Sequence, residues 1–315
     1  MTLVGEDLEL FDRSLRAATE QHSGDALDAA IAELGWHDAL EFDPRAAVSC
    51  LFEAQGAAGA TSSALDHVVA HAIGRELHGS TSVVLPAIGR WSAPGVVGDG
   101  RLAVRGVSTN PRTSMLVVAR SGDVHVVGVI DPAGLETRSV RGVDPWLGLV
   151  EVGGEVALGD TTEVEWSEAV ALAQLAVAHQ LVGASRTALA LAREHALDRI
   201  QFGQPIAQFQ AVRHRLADAL VAVEAASAVL DAAWLDRSAV NATMAKATAG
   251  RGGRTVARHC QQVLAGIGFT TEHDLHRYVR RILALDQLFG SHAMLTKRLG
   301  DEILATRRLP PLLAL

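Results

Sequence analysis

The spacing of apolar residues changes twice along the chain. From Leu8 to about Leu77, apolar residues recur three and four positions apart in segments such as "ALDAAIAELGW", which predicts amphipathic helices. The middle of the chain has short β-branched runs such as "SMLVVARSGDVHVVGVID", separated by Gly, Pro, Asp and Asn, which predicts antiparallel strands and turns. From about Ser167, helical spacing returns and continues to the end of the sequence.

This order predicts an α+β fold that is mainly α. We expect an N-terminal helical domain over residues 1–78, a middle β-barrel-like domain over 79–164 and a C-terminal four-helix bundle over 165–315. The apolar, alanine-rich helix 169–192 is suited to support an oligomer interface. A helix after Ile206 is predicted to bury one stripe of apolar residues. That stripe comprises Phe209, Val212, Leu216, Leu220, Val223 and Leu230.

Composition excludes several classes of protein. The 315 residues are 49% apolar and 20% charged, enough to bury a large core. The net charge of −8 argues against nucleic acid as the main partner, and we interpret the arginines of "GRGGR" at 250–254 as a solvated or interface helix face. The sequence lacks a long apolar run and a signal peptide, so we expect a cytoplasmic protein without a membrane partner. Cys50 and Cys260 are predicted to be reduced, structural thiols.

Two patterns that are typical of binding sites are better explained by structural roles of their residues. His67 and His71 are four residues apart on a predicted helix, but no third ligand accompanies them, so we predict no metal site. The glycine-rich "GVVGDG" at 95–100 lacks the lysine and threonine of a phosphate loop. It is therefore predicted to be a β-turn.

Two motifs carry a specific resemblance. The first is the corner "RIQFGQPIAQFQAVRHRLAD", and the second is "MAKATAG" followed by "QQVLAGIGFTTEHDLHRYVRR". With the helix–strand–helix order, they resemble the acyl-CoA dehydrogenase family over nearly the whole chain. The resemblance implies that FAD and an acyl-CoA thioester lie between the β domain and the helical domains.

The resemblance also implies which residues contact the cofactor. Arg199, Phe202 and Gln210 would reach the adenine-diphosphate half of an FAD held mainly by a neighbouring subunit. Gln262 and Gly266 would contribute further contacts to FAD from the glycine turn, "AGIG" at 265–268, and the residues just before it. Simpler roles remain open: Phe202 as a core plug, Gln210 as a loop cap, and the glycines as a helix end.

The catalytic glutamate of the family is missing. Phe289 stands at its commonest position and Ala173 at its second position, so no catalytic residue is expected in this chain. Asp286 lies three residues before Phe289. On a helix its side chain would point to the same side as that of Phe289, where it could act as a displaced base. The tryptophan that lines the flavin ring in the family is replaced by Arg105 or its neighbour.

These features predict a subunit of an FAD-dependent acyl-CoA dehydrogenase that lacks the base and completes a partner's FAD site. The paralogous catalytic partner would supply the glutamate, as the resemblance to actinobacterial heterotetrameric steroid-CoA dehydrogenases implies. The substrate would be an acyl-CoA, including a steroid-derived CoA thioester. Two alternatives stay open: an active homo-oligomer that uses Asp286, and a scaffold without flavin.

Overall fold

The computed structural model describes residues 3–78 and 80–307, and its first part is helical. The helices are α1 (Glu6–Gln21), α2 (Asp25–Glu33), α3 (Trp36–Phe42), α4 (Pro44–Ala58) and α5 (Ala64–Ala72). The start of α4 follows from local sequence. The carboxylate of Asp43 accepts a hydrogen bond from the Ala46 amide at 3.1 Å, and Pro44 occupies the first helical position.

The middle of the chain forms one mixed sheet of nine strands. They are β1 (Thr81–Val83), β2 (Leu85–Pro86), β3 (Gly95–Gly98), β4 (Arg101–Ser108), β5 (Ser114–Ser121), β6 (Val124–Ile130), β7 (Glu136–Ser139), β8 (Val150–Ala157) and β9 (Thr162–Val164). Seven follow the order β7-β8-β4-β3-β5-β6-β9, while β1 pairs with β5 and β2 with β4. Asp99 and Gly100, both with positive φ, join β3 to β4 in a two-residue turn, so the prediction of a β-turn at 95–100 is confirmed.

Helices return after the sheet and are joined at one corner by a short hairpin. These elements are α6 (Trp166–Asp198), β10 (Ile200–Gln201), β11 (Gln204–Pro205), α7 (Gln210–Ala233), α8 (Ala239–Leu264), α9 (Leu275–Gln287) and α10 (His292–Thr306). Helix α6 packs against α4, α5, α7, α8 and α9. The predicted fold class, mainly helical with a small sheet, is confirmed.

The position of α6 corrects one expectation. Every residue from 169 to 185 is buried, because helices from both ends of the chain surround this segment. The prediction that the apolar helix 169–192 supports an oligomer interface is therefore wrong for this part of the helix. Its alanines allow close packing inside the chain and do not form an exposed apolar surface.

The buried face of α7 also differs slightly from the predicted stripe. Leu220 is 50% exposed, and Ala219 takes its place in the core beside Val223 and Leu230. At 100° per residue, the stripe through Leu216 continues at positions 219 and 223, so Leu220 falls outside it. A small side chain at 219 suits the close packing of α7 against α8.

The arginines of "GRGGR" and both cysteines lie in the predicted environments. Arg251 and Arg254 are exposed on α8, as expected for a solvated or interface helix face. Cys50 and Cys260 are free and buried, which confirms structural thiols, and burial raises the pKa of each to about 12. The ring of His67 packs 4.4 Å from that of His37.

Across 3–78 and 80–307, no cluster of three or more His, Cys, Asp or Glu side chains is arranged to hold a metal ion. In those same ranges, none of the helices combines the length and apolar character needed to cross a bilayer.

Candidate functional site

The corner between α6 and α7 is a hairpin with an exposed aromatic residue at its tip. Phe202 and Gly203 have φ values of 52° and 78°, the signs required by a type I′ turn. Phe202 is 93% exposed, and its ring lies edge-on to that of Phe209, at 6.1 Å between centroids. Phe202 is therefore not a core plug.

Arg199 lies at the end of α6 with an exposed side chain. The Ile206 amide donates to the Arg199 carbonyl at 2.8 Å, which closes the hairpin. Within the described ranges, no carboxylate lies within 4 Å of the Arg199 guanidinium. Burial, His273 and Arg199 together lower the pKa of His195. The rings of His195 and His273 are 5.9 Å apart, so the corner lies beside the segment after the glycine turn.

The glycine turn contains two glycines in different environments. A Cβ at Gly268 would lie 2.9 Å from the carbonyl oxygen of Gln261, so Gly268 is required for packing within the chain. A Cβ at Gly266 would meet nothing within 4 Å, and Gln262, one turn earlier, is exposed. The simple role of a tight turn explains Gly268, whereas Gly266 and Gln262 face open space.

Gln210 begins α7 and is exposed. All five predicted cofactor-contacting residues therefore lie on the surface. The structure places Arg199, Phe202 and Gln210 at one corner and brings Gln262 and Gly266 together in one turn. Exposed side chains at these positions are compatible with a ligand or subunit that approaches from outside the chain.

The two positions of the family's glutamate meet in the protein interior. Phe289 is 1% exposed and lies between α9 and α10, 6.5 Å from the ring of Trp166. The Gln174 amide, next to fully buried Ala173, donates to the Phe289 carbonyl at 3.0 Å. Both positions therefore lie together, and neither side chain can accept a proton.

Asp286 is buried and bonded to the start of α10. Helix α9 ends at Gln287, and Phe289 has a φ of 53°, so the expectation that Asp286 and Phe289 share a helical face is wrong. The Asp286 carboxylate is fully buried and accepts hydrogen bonds from the His292 amide at 3.0 Å and from its Nδ1 at 2.8 Å. It fastens the start of α10 to the end of α9.

A buried lysine, which the sequence reasoning missed, fixes the same loop. The Nζ of Lys246 donates to the carbonyls of Asp286 and Gly290, at 3.1 Å each. Burial lowers the pKa of Lys246 to about 8, although the charge of Asp286 acts in the opposite direction. The signal available in the sequence was a lone cation inside the apolar run "MAKATAG".

The sheet lacks an aromatic wall at the position that the resemblance assigns to it. Arg105 on β4 is exposed and lines an open cleft with Arg138 and Glu151. A charged side chain on this strand offers less apolar surface to cover a flavin ring than an indole does. The residues present at this strand do not suit a flavin ring held by this chain alone.

A small cavity lies where the N-terminal helices, the sheet loops and α6 meet. It has a volume of about 250 Å³ and includes Phe52, Trp146, Gln180 and Leu288 in its lining. Asp28, also at this cavity, was missed by the sequence analysis, and burial raises its pKa.

Solved structures share the fold of this chain. A variant of the Tcur3481-Tcur3483 steroid ACAD matches this chain with a TM-score of 0.80 and 21% identity, covering 96% of this chain and 99% of that chain. The ChsE4-ChsE5 complex from Mycobacterium tuberculosis matches with a TM-score of 0.74 and 20% identity, covering 98% and 99%. At these identities, the likeness establishes the acyl-CoA dehydrogenase fold alone.

Sequence comparison gives the family. Residues 167–304 match the sequence model of the acyl-CoA dehydrogenase C-terminal domain. Acyl-CoA dehydrogenase IpdE2 of Mycolicibacterium smegmatis is 28% identical over 95% of this chain and 100% of its own length. IpdE2 of Mycobacterium tuberculosis is 37% identical over 42% of this chain and 41% of its length. The C-terminal part of the chain matches the acyl-CoA dehydrogenase family, which confirms the resemblance inferred from the corner and the glycine turn.

Proposed function

We propose that this chain is a subunit of an FAD-dependent acyl-CoA dehydrogenase and that it completes the active site of a paralogous catalytic subunit. The main support is that two buried hydrocarbon side chains, Phe289 and Ala173, occupy the two positions that the resemblance assigns to the catalytic glutamate. Proton abstraction needs a carboxylate within hydrogen-bond reach of the reacting carbon. The nearby Asp286 is buried and hydrogen-bonded to His292, so the partner must supply the base.

The surface residues support the cofactor part of the proposal. Arg199 has no acidic partner within 4 Å among the described residues, and Phe202 exposes an aromatic ring from a strained backbone position. Such strain and exposure bring no benefit within the chain and are typical of functional contacts. A guanidinium suits the pyrophosphate of FAD, and Gln262 and Gly266 offer an amide and an unobstructed backbone.

The roles then divide between the two subunits. A bound flavin would supply the hydride acceptor for α,β-desaturation of an acyl-CoA. Arg199, Phe202, Gln210, Gln262 and Gly266 of this chain would orient its adenine-diphosphate half across the interface. The partner would hold the flavin ring, since Arg105 of this chain offers no aromatic wall.

The relatives support a substrate class for the assembly. One structural neighbour is described as a steroid ACAD, and that neighbour and the ChsE4-ChsE5 complex each pair two named components. We propose a steroid-derived CoA thioester as the substrate of the assembly. The acyl group would lie in the partner, because the partner would carry the base that must reach its α-carbon.

Co-expression with dehydrogenase-like chains encoded by adjacent genes tests the proposal. The purified complex should contain FAD, and Arg199→Ala should reduce the flavin content per assembly while light scattering shows the same mass. Arg120→Ala, an exposed arginine on β5, is the matched control and should retain the flavin. Unchanged flavin in the Arg199→Ala complex would remove the proposed contact.

Two other outcomes would replace the proposal. If this chain alone purifies with flavin and desaturates an acyl-CoA, it is an active homo-oligomer. If neither the chain nor the co-expressed complex contains flavin, it is a scaffold. Flavin content counted per assembly separates all three cases.

A further inference from the structure

Residues 87–94 connect β2 to β3 and form a strap that runs from the sheet to the helical part of the chain. Two hydrogen bonds attach the middle of the strap to helices. The Gly89 amide donates to the carbonyl of Gln287, the last residue of α9, at 2.9 Å. The Trp91 carbonyl accepts from the indole Nε1 of Trp166, the first residue of α6, at 3.0 Å. The strap is therefore fixed at both of these helix ends.

The ring of Trp91 packs against the loop between α9 and α10. A Cβ added to Gly290 would lie 3.0 Å from the Trp91 ring, so the indole touches the bare backbone at this point. Gly290 has a φ of 100°, which a side chain would rarely adopt. The Arg298 guanidinium of α10 lies over the same indole, 5.3 Å from the ring centroid. Contacts from two elements thus hold Trp91 in place.

The loop beneath the strap is fixed by its carbonyl groups. In residues 286–290, Lys246 binds the first and the last carbonyl, and the Gly89 amide binds the second. The Gln174 amide binds the carbonyl of Phe289 at 3.0 Å. Phe289 has an unfavourable φ of 53°, and such strain persists only where the surroundings determine the backbone. The Phe289 side chain is therefore held in one direction.

The Phe289 side chain is enclosed as a result. It is 1% exposed, and its ring lies 6.5 Å from that of Trp166, the residue whose indole is bonded to the strap. The neighbouring Leu288 lines the cavity of about 250 Å³, whereas Phe289 is not part of that lining. The structure thus gives small molecules no open path to position 289.

We propose that the strap closes this chain's own reaction position, so that water, thioesters and flavins are excluded from residue 289. The contact is autoinhibitory: proton abstraction needs the base to meet the reacting carbon directly, and the closed strap prevents this independently of the missing glutamate. A carboxylate restored at position 289 would be buried beneath the strap without access to a substrate. This closure is a property of the single chain and does not depend on the proposed partner.

Thiol labelling of Phe289→Cys in the purified full-length chain tests the closure. The native Cys50 and Cys260 are buried, so the unsubstituted chain gives the background rate with a maleimide. We expect Phe289→Cys to react no faster than this background. Adding Trp91→Ala should raise the labelling rate about tenfold or more, because removal of the indole opens the strap locally. Thermal unfolding of each variant checks that the fold is retained.

Trp146→Ala is the matched control for the labelling experiment. Its indole also has an arginine over the ring, with the Arg280 guanidinium 5.7 Å from the centroid, but it lies outside the strap. Labelling of Phe289→Cys should therefore stay slow when Trp146→Ala is added. Fast labelling with Trp91 intact, or equal rates with and without Trp91→Ala, would overturn the proposal.

Hydrogen exchange gives a second measurement that leaves Phe289 unchanged and decides the matter if Phe289→Cys does not fold. The amides of residues 87–94 should be protected in the native chain. Arg298→Gln removes the cation above Trp91 and should speed their exchange about two- to fivefold, whereas Arg280→Gln should not. Rapid exchange of the Gly89 amide in the native chain would show that the strap is open and that the closure does not exist.

Discussion

Gly56 of α4 and Gly183 of α6 face each other across a helix crossing in which each glycine contacts the backbone beside the other. A Cβ on Gly56 would overlap the carbonyl oxygen of Gln180, and a Cβ on Gly183 would overlap that of Glu53. Only hydrogen atoms therefore fit between the two helices. This crossing attaches the N-terminal helices to the buried centre of α6.

Alanine at either glycine should therefore destabilise the protein strongly. We expect Gly56→Ala or Gly183→Ala to lower the free energy of unfolding by about 3 kcal/mol or more, because the obstacle is rigid backbone on both sides. Urea unfolding monitored by circular dichroism measures the change. Gly300→Ala on α10 is the control: it meets nothing within 4 Å and should add roughly 0.5–1 kcal/mol. Native stability in Gly56→Ala would contradict this account.

A buried ion pair joins three parts of the chain. Arg281 of α9 binds the carboxylate of Asp144 in the segment before β8, and its Nη1 donates to the Ala60 carbonyl at 3.0 Å. Asp144 also accepts from the Trp146 amide at 3.1 Å. Both charged side chains are almost fully buried, so water cannot solvate the charge that remains if one partner is removed.

Removal of one partner should be costly. Arg281→Gln is expected to lower the free energy of unfolding by about 3–5 kcal/mol, because Asp144 is left as an unpaired buried charge. Arg138→Gln breaks an exposed pair with Glu151 and should change it by less than about 1 kcal/mol. Chemical unfolding compares the two. Equal effects would show that burial of the Arg281 pair has no energetic consequence.

The sequence predicted what depends on local spacing. The order of helices and strands follows from the apolar period, and the hairpin corner follows from glycine and proline beside Arg199. The geometry around Phe289 could not be predicted, because a distant residue, Lys246, holds the carbonyls on both sides of it. "GRGGR" predicted an exposed face of α8 but gave no sign that α9 and α10 lie across a cleft from it.

Stability should fall with rising pH because of Asp66. This residue of α5 is fully buried, and burial raises its pKa to about 7, although the Val83 amide donates to it at 3.0 Å. A carboxyl with a higher pKa in the folded state binds its proton more tightly there. Its stabilisation is therefore complete below about pH 4 and is lost as pH rises to about 7. At about 1.4 kcal/mol for each pH unit between the two pKa values, the loss reaches roughly 4 kcal/mol.

Asp66→Asn should remove this dependence while it keeps an oxygen for the Val83 amide. We expect the variant to unfold at a higher temperature than the native chain near pH 8 and to show a flatter profile between about pH 4 and 7. Asp123→Asn, an exposed aspartate in the turn between β5 and β6, should leave the native profile unchanged. Parallel native and Asp66→Asn profiles would rule out Asp66 as the cause.

The strained turn at Phe202 should separate stability from function. A phenylalanine with a φ of 52° is unfavourable, whereas asparagine followed by glycine is preferred in a type I′ turn. Phe202→Asn should therefore raise the free energy of unfolding by about 0.5–1 kcal/mol. If Phe202 contacts a partner-bound flavin, the co-expressed complex should at the same time lose FAD on dilution. Phe209→Leu, which changes the half-buried neighbouring ring but not the turn, should gain no stability. A Phe202→Asn complex that is both more stable and fully loaded with flavin would show that the exposed ring has no role in cofactor binding.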